Sequence, residues 1–144
     1  MAIYNYKYRF VKYETLEKFI RWFQNTLNLR DWEVYLEVGS NVPKEFASLG
    51  SNAEGGCWSL DENLAARVWI NFGRCKVVDI HPLEVLSHEL CHMLIAAVSP
   101  QRERMQVYGE AEDQLIYRIQ GIILEKYCRE NNLKLVKGEI RWVE

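Results

Sequence analysis

The segment from Pro82 to Val98 constrains this chain more than any other, because it reads as a helix that is apolar on opposite faces. Proline at a first helical position has the φ angle a helix needs and no N–H to leave unpaired. Glu84 sits in the first turn, and Ser99-Pro100 stops the run. Leu83, Leu86, Leu90, Leu94 and Ala97 gather on one side, and Val85, Ile95 and Ala96 lie on the other. A helix that is greasy on both sides has to be covered on both sides, so the fold is layered around it. Its unbroken apolar run, Met93 to Val98, is six residues, whereas about 20 are needed to span a bilayer. The cover is therefore protein, and no membrane is expected.

The rest of the chain supplies the layers. From Glu14 to Leu27, the residues Leu16, Phe19, Ile20, Phe23 and Leu27 recur at steps of three and four, which predicts an amphipathic helix. Trp32 to Val38 alternates with period two, as a half-buried strand does. Residues 43 to 56 read as a loop ending in Glu-Gly-Gly. A hairpin is expected next: Cys57 to Leu60, a turn at Asp61 to Asn63, then Ala66 to Phe72 with Ala66, Val68, Ile70 and Phe72 on the buried face. A helix from about Val107 to Arg129 is carried by Leu115, Ile116, Ile119, Ile122, Ile123 and Tyr127. Leu133 to Val143 reads as two short strands, and residues 2 to 12 as a strand or an aromatic arm. Strands grouped early, helices late and no βαβ alternation predict an α+β fold. At 144 residues and 49% apolar, one domain over residues 1–144 with its own core is expected.

Composition removes several partners. The formal net charge of -2 and the lack of a wide basic patch argue against a nucleic-acid module, even though the N-terminal arm interleaves aromatic residues with Lys7, Arg9 and Lys12. That N-terminus also lacks the apolar stretch of a secretory signal, so a cytoplasmic location is expected. Cys57, Cys75, Cys91 and Cys128 form no C-x-x-C pair and read as reduced, mostly buried thiols.

One pattern carries chemistry: His88-Glu89-Leu90-Cys91-His92, an H-E-x-x-H inside the central helix, which takes two of the chain's three histidines. Residues four apart on a helix differ by about 40° and lie one turn apart, so two imidazoles can converge on one ion at roughly 2.0–2.1 Å. Glu89 lies about 100° round and flanks the ion, where it can take a proton from a polarised water and return it to a leaving group. Histidines on a helix buried this way need partners, because an unpaired buried polar group costs roughly 2 kcal/mol or more.

A catalytic zinc wants a third protein ligand. Ile95 and Val98 stand where a metzincin has its glycine and third histidine, and His81, just before Pro82, is placed to cap the helix. On the next helix Glu112 points with the apolar stripe, within about 60° of Leu115, Ile116, Ile119 and Ile123, while Asp113 is about 100° and Glu110 about 160° away. A carboxylate aimed inward is costly unless it is paired or holds a cation, so His88, His92 and Glu112 are the expected ligands. A salt-bridged acid in the first helical turn is the plainer reading of Glu112.

His88-Glu89-x-x-His92, nineteen residues and then Glu112 on a following helix resembles the gluzincin branch of zinc metallopeptidases, and in size and layout the chain is similar to small zincin-like metallopeptidases of phages and bacteria. The resemblance runs from about Trp32 to Tyr127. It implies a zincin-like minimal domain: an N-terminal helix, a small mostly antiparallel sheet, an active-site helix and a C-terminal helix. It further implies Zn2+ held by His88, His92 and Glu112, Glu89 as catalytic base, and a protein or peptide substrate whose extended backbone pairs with the strand Ala66 to Phe72, unless that segment is an ordinary interior strand. Tyr108, one turn before Glu112, is a candidate for stabilising the oxyanion, or else a packing residue. The larger gluzincins have a second acid where this chain has Ile116. The partner that orients His88 is therefore left open among Asp113, Glu84 and Asp79. Two other functions compete: a metal-stabilised binding module whose coordination is closed by Cys91, Cys57 or Cys75, and a metal hydrolase acting on a non-peptide substrate.

Overall fold

A computed structural model describes residues 3–6, 13–40, 42–44, 53–60, 64–98, 109–136 and 139–143. In chain order these form β1 (Ile3–Tyr6), α1 (Tyr13–Thr26), β2 (Glu33–Val38), β3 (Gly55–Leu60), β4 (Ala65–Ile70), α2 (Phe72–Val78), α3 (Pro82–Val98), α4 (Gly109–Glu130), β5 (Leu133–Val136) and β6 (Glu139–Val143). The class is α+β, as the grouping of apolar periods predicts.

The expected hairpin is present, with Gly55 opposite Ile70 and Leu60 opposite Ala65 in antiparallel register. β2 adds to the other edge of β4 and runs parallel to it, Glu33 opposite Ala65 and Val38 opposite Ile70, giving a mixed sheet of order β2-β4-β3. The chain ends build a second, antiparallel sheet of order β1-β6-β5. Two three-stranded sheets thus stand where one was expected. The parallel pairing was hidden because β4 is buried on both faces: Trp69 is as enclosed as Val68. Burial on both faces makes β4 the central strand, which corrects the assignment of Ala66 to Phe72 as the substrate-pairing strand. Both edges of β4 are already taken, and β3 is the end strand on the side of α3.

Phe72 corrects a second expectation: it opens α2 instead of extending β4. Asn71 decides this, since its Oδ1 accepts the Arg74 backbone N–H at 3.0 Å, an N-cap on a seven-residue helix that ends at Asp79 in the left-handed region with φ 58°. Period-two alternation runs straight through this junction, so the pattern carries no sign of the cap.

α3 is enclosed as its two apolar faces demand. Leu83, Leu86, Leu90, Cys91 and Met93 are all fully buried, and the helix packs on β3, β4, α1 and α4. His81 caps it, its Nδ1 accepting the Leu83 N–H at 3.0 Å. α1 turns Leu16, Phe19, Ile20 and Phe23 inward, each worth about 1.5–3 kcal/mol on full burial. Phe19 meets the Tyr127 ring edge-on at 4.8 Å and Trp22 meets it at 5.1 Å, which fixes the rotation of α4 about its axis. That rotation differs from the expected one: Ile116, Leu124, Tyr127 and Cys128 face the core, while Leu115 is 50% and Ile122 68% exposed. The cysteines are free thiols, with Cys75, Cys91 and Cys128 buried. Among the described residues no helix is long and apolar enough to cross a membrane.

Candidate metal centre

His88 and His92 project from adjacent turns of α3 toward α4, their rings 5.1 Å apart between centroids. Each ring has one nitrogen engaged by α4. His88 Nδ1 lies 2.6 Å from Gln120 Oε1, and His92 Nδ1 lies 2.6 Å from Glu112 Oε2. An amide oxygen and a carboxylate oxygen only accept, so each Nδ1 carries a proton and donates it, and in the neutral ring each Nε2 keeps its lone pair. Both Nε2 atoms face Asp113 Oδ1, at 3.7 Å from His88 and 3.4 Å from His92.

With both rings neutral, three acceptor atoms face one another and repel unless a cation sits among them. Tetrahedral bonds of about 2.0–2.1 Å place ligand atoms about 3.3–3.4 Å apart, close to the separations observed. His88, His92 and Asp113 can therefore coordinate a metal ion, their ligand atoms all lying within 4.8 Å of one another. No cysteine joins this cluster among the described residues. Burial pushes His88 below the ordinary imidazole range, against the hydrogen bond to Gln120, and so favours the neutral ring that metals require.

The structure places the expected acids in different positions from those read in the sequence. Glu112 is well buried, its side chain 13% exposed, and it lies against the outer nitrogen of His92. Asp113, 52% exposed, stands at the rim and faces both inner nitrogens. Gln120 orients His88, the task left open among Asp113, Glu84 and Asp79. The side chain of Glu110 and all of Tyr108 lie outside the described residues, and with them the oxyanion assignment of Tyr108. The tyrosine that does reach the site is Tyr117, its ring 4.9 Å from that of His88. A signal for these residues was present: Asp113, Tyr117 and Gln120 are spaced four and three apart and share a stripe about 60° wide. This polar stripe runs beside the apolar one, and attention to the apolar one alone passes over it.

Glu89 is 8% exposed and makes no hydrogen bond or ion pair among the described residues. Burial pushes its carboxyl up to about 8, and the negative charges of Asp113 and Glu54 add to the effect; a cation beside it works in the opposite direction. Glu89 lines a cleft of about 190 Å³ together with His88, Glu54, Glu84, Val85 and Tyr117. Gly55 makes this approach possible. A Cβ there would lie 2.7 Å from the Trp69 carbonyl oxygen, 2.8 Å from Val85 Cγ1 and 3.5 Å from Glu89 Cγ, so only glycine lets the end strand run this close to the helix.

Comparison of the chain with family models, with curated proteins and with solved structures found no match.

Proposed function

We propose that this protein is a zinc-dependent peptidase, built as a zincin-like minimal domain, in which His88, His92 and Asp113 hold the ion. The observation that carries the reading is the set of three candidate ligand atoms converging beside a buried Glu89 that has no partner among the described residues. A zinc ion held there supplies a Lewis acid that polarises a carbonyl and acidifies water near neutral pH. Gln120 and Glu112 keep the two imidazoles in the tautomer and orientation that present Nε2. Glu89 would hold and pass the proton at its carboxylate, with burial favouring the protonated form and the neighbouring ion opposing it. An extended substrate backbone would add to the outer edge of β3, the end strand of its sheet. Three protein ligands without a cysteine favour an open coordination position over the closed centre of a structural module.

Glu89→Gln tests the assignment. It preserves shape and metal binding but removes the base, so hydrolysis of a casein or peptide-library substrate should fall by about 10²–10⁴-fold at unchanged zinc stoichiometry. Full activity in that variant, or no peptide hydrolysis by zinc-loaded parent protein, would refute the peptidase reading.

A further inference from the structure

The cleft beside the ligand cluster carries a charge pattern that the ion does not explain. Its lining includes Glu54, Glu84 and Glu89, and no lysine or arginine among the described residues. Neither Glu54 nor Glu84 makes an ion pair among those residues, and Glu89 is more than nine-tenths buried without a partner. The three acids do not form a second group able to share one ion, since the only such group among the described residues is His88, His92 and Asp113. Their carboxyl groups are spread over a cavity, not focused on a point. Ile80 and Val85 share the walls with them, and the exposed ring of Tyr117 stands at the side.

Acids distributed among apolar walls, with an aromatic ring beside them, match an alkyl stem that ends in a delocalised cation. The volume agrees: about 190 Å³ falls short of the roughly 300–1,000 Å³ that encloses a drug-sized ligand and suits one side chain. The acids are also held in place. The Glu54 carbonyl accepts the Asn71 N–H at 2.8 Å and the Ala53 carbonyl accepts Asn71 Nδ2 at 3.3 Å, while Asn71 is itself buried. Glu84 stands in the first turn of α3, its carboxylate taking a hydrogen bond from the His81 backbone N–H.

We infer that this cleft selects a basic side chain, arginine or lysine, at the substrate residue flanking the scissile bond, with Glu54 and Glu84 as the specificity-determining acids. The inference rests on the peptidase reading for its biological sense but not for its test, since binding can be measured without turnover.

The metal-free full-length chain is titrated with N-acetyl-arginine methylamide, its norleucine analogue and its glutamate analogue, followed by amide chemical shifts at Glu54, Gly55 and Glu84. The arginine ligand should bind about tenfold or more tighter than norleucine, with glutamate weakest, as expected for one charge-assisted contact. Glu54→Gln with Glu84→Gln, shape-preserving and checked for folding by circular dichroism, should abolish that preference. In parallel, the zinc-loaded chain should cleave a peptide library beside Arg and Lys, and the double variant should lower the Arg-to-norleucine ratio of kcat/KM by about tenfold or more. Equal binding of arginine and norleucine, no shift with any ligand, or a preference that survives in the double variant would overturn the inference. If the arginine preference holds but no peptide is cleaved, the cleft reading stands and the peptidase reading falls. Cleavage without a basic preference does the reverse.

Discussion

Glu112 and Asp113 are neighbours in sequence, both acidic and both in contact with the histidine pair, yet the structure gives them unlike tasks that two amide substitutions can separate. Glu112 accepts Nδ1–H of His92 at 2.6 Å, and Gln120 does the same for His88 with an amide oxygen at the same distance. Glu112→Gln should therefore keep the orienting hydrogen bond and lose only the charge. Removing a partner of this kind typically costs about 10–100-fold in metal affinity, and a substitution that retains the acceptor should fall at or below the lower end. Asp113 faces both Nε2 atoms, so its loss removes a direct ligand. Sharing the roughly 10–16 kcal/mol of a four-ligand zinc site evenly gives about 2.5–4 kcal/mol per ligand, or about 100–1,000-fold for Asp113→Ala. Competition against a chromophoric chelator at fixed pH measures both. If Glu112→Gln loses zinc more severely than Asp113→Ala, then Glu112 is the ligand and α4 is turned in the holo protein toward the position its apolar stripe suggests.

Three further outcomes follow from packing and burial. Gly55→Ala should destabilise the fold by about 1–3 kcal/mol in urea unfolding, because the new methyl meets the Trp69 carbonyl oxygen and Val85 Cγ1 below 3 Å; an unchanged midpoint would mean that β3 does not approach α3 as described. Asn71→Ala should cost about 1 kcal/mol or more by the same assay, since Asn71 caps α2 and also clamps Ala53, and parental stability would contradict the cap. Burial pushes the Cys75 thiol up to about 12 and the Cys128 thiol up to about 11. Above about pH 8.5 the unfolded chain releases thiol protons that the folded chain keeps, so stability is whole below that pH and declines as pH rises toward those values. Both thiols should resist iodoacetamide at pH 8 until the protein is denatured; rapid alkylation of the native protein would show that they are open to solvent.

Local chemistry was legible in the residues themselves. The His88–His92 spacing, the Pro82 start, the His81 cap and the alternation of Trp32 to Val38 each depend on neighbours within a turn or a strand, and each appears where its pattern put it. Burial of α3 on both sides was likewise written in its composition. What the residues alone did not decide were relations between elements. The parallel partnering of β2 with β4 brings together residues about 30 positions apart, and a strand buried on both faces presents no alternation from which to read a neighbour. The role of each acid on α4 depends on that helix's rotation, which is set far from the site by Phe19 and Trp22 closing on Tyr127. A turn of about 100° exchanges Glu112 for Asp113, and no pattern within the helix resolves that choice. The cleft belongs wholly to tertiary structure: Glu54 precedes β3 and Glu84 lies on α3, and they come together because a glycine at position 55 lets a strand end settle against the helix carrying Glu89.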